Sequence, residues 1–90
     1  MVKEKVKPIA SQKDESEISR ELILFNDDVN TFDFVIQSLI EVCSHLPEQA
    51  EQCAMVAHLK GKCGIKTGNY QELKPIHEEM TARGLTVSIE

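Results

Sequence analysis

The chain has 90 residues, 41% hydrophobic and 28% charged, with 15 acidic and 10 basic side chains and a formal net charge of −5. That length holds one small domain, burying roughly 60–70% of the surface its unfolded chain exposes. The acidic balance argues against nucleic acid, whose partners carry a basic face, and against an anionic membrane surface, while it permits a cationic partner.

No apolar run approaches the ~18–20 residues of a membrane span. The opening Met1-Val2-Lys3-Glu4-Lys5-Val6-Lys7-Pro8 lacks the apolar stretch of a secretory signal, so the cytoplasm is the expected compartment. Residues 1–19 carry four Lys and four Asp or Glu among Ser, Gln and Pro, with no sustained apolar period. They read as a flexible tail ahead of a domain spanning residues 20–90. The tail's charges cancel, so the domain, with six basic and eleven acidic residues, holds the whole −5.

Glu21-Leu22-Ile23-Leu24-Phe25 is rich in strand formers and is broken by Asn26-Asp27-Asp28, which predicts a strand followed by a turn. Apolar residues at 32, 35, 36, 39, 40 and 43 then form one helical stripe. Asn30 or Thr31 can cap that helix, and Asp33 suits its positive end. Pro47 suits the first position of a second helix, which runs to about Lys60 and stops at Gly61. Its inner face is Ala50, Cys53, Ala54 and Ala57, continued by His58. Cys63 to Thr67 reads as a short strand, and Tyr70 to Arg83 as a third helix with Leu73, Ile76 and Met80 inward. Pro75 either kinks that helix or marks its start. Leu85-Thr86-Val87-Ser88-Ile89 alternates and reads as a final strand. The order β-α-α-β-α-β predicts an α+β fold, a three-stranded antiparallel sheet packed against three helices.

Asn26-Asp27-Asp28 puts two carboxylates and an amide between a strand and a helix. Such a turn can simply cap the helix. It can also hold a cation, since carboxylates offer acceptors and an ammonium offers donors, and paired acids are used in acid–base catalysis. No Gly-rich phosphate loop and no nucleophile with a base accompany it. His58 closes a small, apolar helix face, while His45 and His77 read as solvent-facing. Cys43, Cys53 and Cys63 are an odd count, which suits reduced thiols. His58 lies midway between two of them, yet no C-x-x-C knuckle is present, and three small buried thiols are expected rather than a metal site.

Leu22 to Asp28, followed by a helix with Phe34-Val35, resembles the opening of the ClpS family. The second helix ending Ala57-His58-Leu59-Lys60-Gly61-Lys62, then Cys63-Gly64 and Thr67, is similar to that family's second signature, and Leu85 to Glu90 to its closing strand. The likeness covers about residues 21–90, and the combination is far more specific than any part.

The resemblance implies a non-catalytic cytoplasmic bacterial adaptor, monomeric and without cofactor. Such an adaptor recognises protein N-termini beginning with Phe, Tyr, Trp or Leu and delivers them to a Clp AAA+ unfoldase and its protease. By matching positions, Asn26, Asp27 and His58 would hold the ammonium, with Asp28 adding negative field. Leu24, Phe32, Val35, Ala54, Ala57 and Leu85 would line the side-chain pocket. Asn69 and Lys74 would face the unfoldase, and the tail would engage it during hand-off. The chain departs from the family pattern at several points. Phe32 stands where Met is usual, Ala54 and Ala57 where larger apolar residues are usual, and Asn69 where an acid is common. The two Ala imply a deeper floor and Phe32 a narrower entrance. The rival expectations are a metal-binding protein using Asp27, Asp28, His58 and a cysteine, and a structural interaction domain with no such pocket.

Overall fold

The apolar run at the start of the domain becomes β1 (Arg20–Phe25) in the computed structural model, which describes residues 18–90. The tail expected before the domain therefore falls almost wholly outside the described residues. β1 is the central strand of a sheet ordered β2-β1-β3, flanked on both sides by antiparallel neighbours, β2 (Lys62–Gly68) and β3 (Thr86–Ile89). A strand paired on both edges can afford a continuous apolar run, and Leu22, Ile23 and Leu24 are all buried. The register with β2 shifts between Leu22 and Ile23, which skips Ile65. Such an irregularity re-aims a side chain, and Ile65 is buried in the core.

Three helices cover the sheet: α1 (Phe32–Cys43), α2 (Pro47–Lys60) and α3 (Tyr70–Ala82). Thr31 caps α1, its Oγ1 accepting from the Phe34 amide at 3.1 Å. Thr31→Ala is expected to cost about 1 kcal/mol. In a domain of this size that lowers Tm by about 4–8 °C, and an unchanged melting curve would remove the cap from the account. Leu39 and Cys43 of the predicted stripe are buried, and Val35, Ile36 and Ile40 are half-buried. Phe32 departs from the stripe and stays 38% exposed.

The start of α3 resolves the position of Pro75. Asn69 is the N-cap, accepting from the Glu72 amide at 2.8 Å while its own amide donates to Glu72 Oε1 at 2.9 Å. The reciprocal pair fixes the helix start ahead of the proline. Pro75 lies inside the helix, where it lacks the amide that would donate back to Gln71.

Three expectations need correction. His45 is buried, not solvent-facing, and its Nε2 donates to the Ile65 carbonyl at 2.6 Å. It follows the left-handed Ser44 (φ 60°), which turns the chain inward at the end of α1. His77 is half-buried with Nε2 3.2 Å from the Val87 carbonyl, because β3 packs beside α3. Of the cysteines only Cys43 is buried; Cys53 and Cys63 are half-buried, and all three are free thiols. Burial pushes the Cys43 and Cys53 thiols up to about 11, which favours the protonated thiol at neutral pH.

Candidate functional site

The N-D-D turn is held by its own side chains. Asp27 Oδ1 accepts from the amides of Val29 and Asn30, both at 2.9 Å, which winds the chain toward the cap of α1. The Asn30 side chain donates to Asp27 Oδ2 at 3.0 Å and to the Gly84 carbonyl at 2.9 Å. Partial burial works to raise the Asp27 pKa, but the hydrogen bonds from the Asn30 amide, the Asn30 side chain and the Val29 amide outweigh it. The carboxyl is held below its ordinary 3.8.

The second signature closes on the first through the backbone. α2 ends at Gly61 in a left-handed conformation (φ 95°), with the Gly61 amide donating to the Ala57 carbonyl at 2.8 Å. Glycine adopts that conformation without a Cβ penalty. The Gly61 carbonyl then accepts from the Asn26 amide at 2.9 Å. One bond therefore joins the turn after β1 to the end of α2, and His58 stands one turn before it.

A third segment enters at the end of α3. The Leu85 amide donates to the Met80 carbonyl at 3.1 Å and the Gly84 amide to the Thr81 carbonyl at 2.9 Å, with Gly84 at φ 86°. This paired pattern is the glycine-terminated helix end. It reverses the chain and buries Leu85 beside Met80 in the core.

These three segments surround one concavity of about 480 Å³. It is lined by Leu24, Phe25, Asn26, Asp27, Asp28, Asn30, Phe32, Val35, Ala54, Met55, Ala57, His58 and Leu85. Its size falls in the range of small-ligand clefts. Ala54 and Ala57, with Leu24 and Leu85, are buried, whereas Asn26, Asp28 and His58 are exposed and Asp27 is half-buried. The arrangement is an apolar floor beneath an acceptor-rich mouth. All ten residues expected around the turn and pocket line it. Asn69 and Lys74 lie elsewhere, Asn69 engaged as the cap of α3 and Lys74 exposed and paired with Glu78 at 3.4 Å.

Sequence reasoning missed Phe25, Asn30 and Met55. Asn30 stood only as an alternative cap; once Thr31 takes that role, the Asn30 side chain is released to the turn. Met55 sits one position beyond Ala54, outside the helix face judged to be inward. Among the described residues no group of three or more His, Cys, Asp or Glu is placed to hold a metal ion. A pocket beside Asn26 and His58 also counts against an interaction domain without one. No helix among the described residues is long and apolar enough to cross a membrane.

Comparison with known proteins follows the same direction. The family model for "ATP-dependent Clp protease adaptor protein ClpS" matches residues 15–88. The ClpS adapter of Sodalis glossinidius is 36% identical over 84 residues, 91% of this chain and 72% of that protein. The one from Nitratidesulfovibrio vulgaris is 38% identical over 55 residues, 59% of this chain and 55% of that protein. The match thus spans from about half to about three quarters of the relatives' length. The fold is similar to that of Agrobacterium tumefaciens ClpS2 bound to L-phenylalaninamide, with a TM-score of 0.68 at 20% identity over 80% of this chain and 94% of that one. With the model matching most of the chain and a relative aligned along nearly all of it, this protein belongs to the ClpS family of ATP-dependent Clp protease adaptors.

Proposed function

We propose that this adaptor binds the free α-ammonium and the bulky hydrophobic first side chain of an N-degron and passes the bound protein to a Clp AAA+ unfoldase. It does so in the bacterial cytoplasm as a monomer, with no cofactor and no catalysis of its own. The observation that carries this reading is a pocket with an apolar floor and an acceptor-rich mouth. A protein N-terminus has the matching form, a cation beside an apolar side chain. An α-amino group has a pKa near ~7.7–8.0 and is mostly charged at neutral pH. Asn26, Asp27 and His58 receive the ammonium and first peptide group, and Asp28 strengthens the negative field. Leu24, Val35, Ala54, Ala57 and Leu85 receive the side chain, and Phe32 stands at the entrance.

L-phenylalaninamide, the ligand of the Agrobacterium relative, has this chemistry: an amino group, a benzyl side chain and an amide. Hydrogen bonds to a charged group contribute roughly 1.5–3 kcal/mol each, and burying a Phe- or Leu-sized side chain about 1.5–3 kcal/mol. Ordering and desolvation reduce the sum to micromolar or somewhat tighter binding. The unfoldase is assigned to a different face. A groove of about 440 Å³ between α3 and β3 includes Tyr70, Lys74, His77 and Glu78. Lys74 is the better anchor there, since the Asn69 side chain is committed to its helix cap.

Fluorescence anisotropy with peptides differing only in the first residue tests the reading. Phe, Tyr, Trp and Leu should bind at least tenfold tighter than Arg, Ala or Asp, from the ~1.5–3 kcal/mol that filling the pocket contributes. Equal affinities across the panel would overturn it.

A further inference from the structure

We propose that Asn30 is a positioning residue for the ammonium site, a clasp that fixes the Asp27 carboxylate and ties it to the turn presenting Leu85. The inference rests on the N-terminus-binding reading and adds a residue to it.

A carboxylate has about four acceptor sites. At Asp27 three are filled, two on Oδ1 by the Val29 and Asn30 amides and one on Oδ2 by Asn30 Nδ2. The fourth remains for an incoming ammonium. Asn30 supplies two of the three donors, so it decides how the carboxylate is turned. Its side-chain nitrogen has a second hydrogen, which goes to the Gly84 carbonyl 54 positions along the chain. Gly84 directly precedes Leu85, a buried residue of the pocket. One amide thereby spans the polar mouth and the apolar floor.

The side-chain type is specific. A hydroxyl has one hydrogen and grips only one of the two oxygens. Aspartate at this position has no donor and sets a like charge beside Asp27. Asparagine has two hydrogens on a short stem, which is what two acceptors on different segments require.

The test combines Asn30→Ala with two ligands and a second site. The ligands are a Phe-initiated peptide and its desamino analogue, which keeps the benzyl group and lacks the ammonium. Asn30→Ala should weaken the ammonium peptide about tenfold, the scale of one hydrogen bond to a charged group, and the desamino analogue less than twofold. In an Asp27→Ala background the same change should have less than a twofold effect. Equal losses for both ligands, no loss for either, or a full additional loss in the Asp27→Ala background would overturn the clasp.

A ligand-free readout separates this proposal from the one beneath it. The Asp27 carboxyl titration, followed by NMR in the free protein, should move to higher pH in Asn30→Ala because a bond to the charged form is lost. An unmoved titration overturns the clasp whatever the peptides do. Wild-type protein that binds the free, acetylated and desamino peptides alike overturns the N-terminus reading and with it the clasp's role toward an ammonium, whereas a moved titration still upholds the Asn30 bond to Asp27. Should Asn30→Ala not fold, Asn30→Ser, which keeps one donor, must still show the unequal loss between the two ligands.

Discussion

Acetylating a Phe-initiated peptide is expected to weaken its binding to this protein at least 100-fold. Acetylation removes the positive charge and two of the three N–H donors that Asn26, Asp27 and His58 are proposed to receive. Losing two hydrogen bonds to a charged group removes about 3 kcal/mol or more, and each 1.4 kcal/mol is about tenfold. The acceptors at the mouth are also left against a neutral acetyl group, which adds a desolvation cost. The pH dependence has the same origin. Affinity should fall about tenfold per unit once pH passes the ammonium's own pKa near ~8. On the acid side Asp27 stays ionised below its ordinary 3.8, so binding through it should persist until the carboxylate protonates beneath that value. The sign for folding is the same, since a depressed carboxyl contributes stability that is present above the unfolded value and lost as pH falls through the folded one. Titration calorimetry of both peptides from about pH 2.5 to 9, with folding checked at the acid end, measures these limits. Acetylated peptide binding within threefold of the free one would rule out an ammonium site.

The second large effect concerns the floor. Ala57 is 4% exposed and lines the pocket. Ala57→Leu should fill space that a first side chain would occupy, weakening Phe and Trp peptides by about 30–100-fold, the worth of a buried ring at ~2–3 kcal/mol. Overpacking costs a domain about 1–3 kcal/mol, so the melting temperature must be measured alongside. Ala54→Leu gives an independent filling of the same floor, and a folded variant of either kind with wild-type affinity would place the first side chain elsewhere. Leu peptides should lose less than Trp peptides, because the smaller side chain needs less of the volume.

The helices were legible because their signals are local: Pro47 with Gly61 bounds α2, and the Thr31 region with one apolar stripe defines α1. The pocket's residue set was legible mainly through resemblance, since composition alone leaves Asn26-Asp27-Asp28 as a capping turn. Contacts that depend on tertiary placement were not readable. His45 looks like a polar residue after a helix; only the left-handed Ser44 and the skipped Ile65 in β2 turn it inward. Asn30 is unreadable for a related reason, because its partner Gly84 is fixed by a helix end 54 positions away. Phe32 fits the apolar period yet stays at the rim, since it opens its helix at the pocket mouth.

The sheet has one further consequence, which concerns synthesis. β1 is the central strand, but both of its partners follow it in the chain, and β3 comes last. The Glu21 and Glu90 backbones exchange two hydrogen bonds at 2.8 Å, so the start of β1 is sealed by a residue about 70 positions further along the chain. At roughly 5–20 residues per second of translation, β1 waits several seconds with both edges unpaired. During that interval the apolar Leu22-Ile23-Leu24 run is open to other strands. Of the helices, α3 packs most closely against β1; as it is made after β2, the apolar run meets its strand partner before its nearest helix.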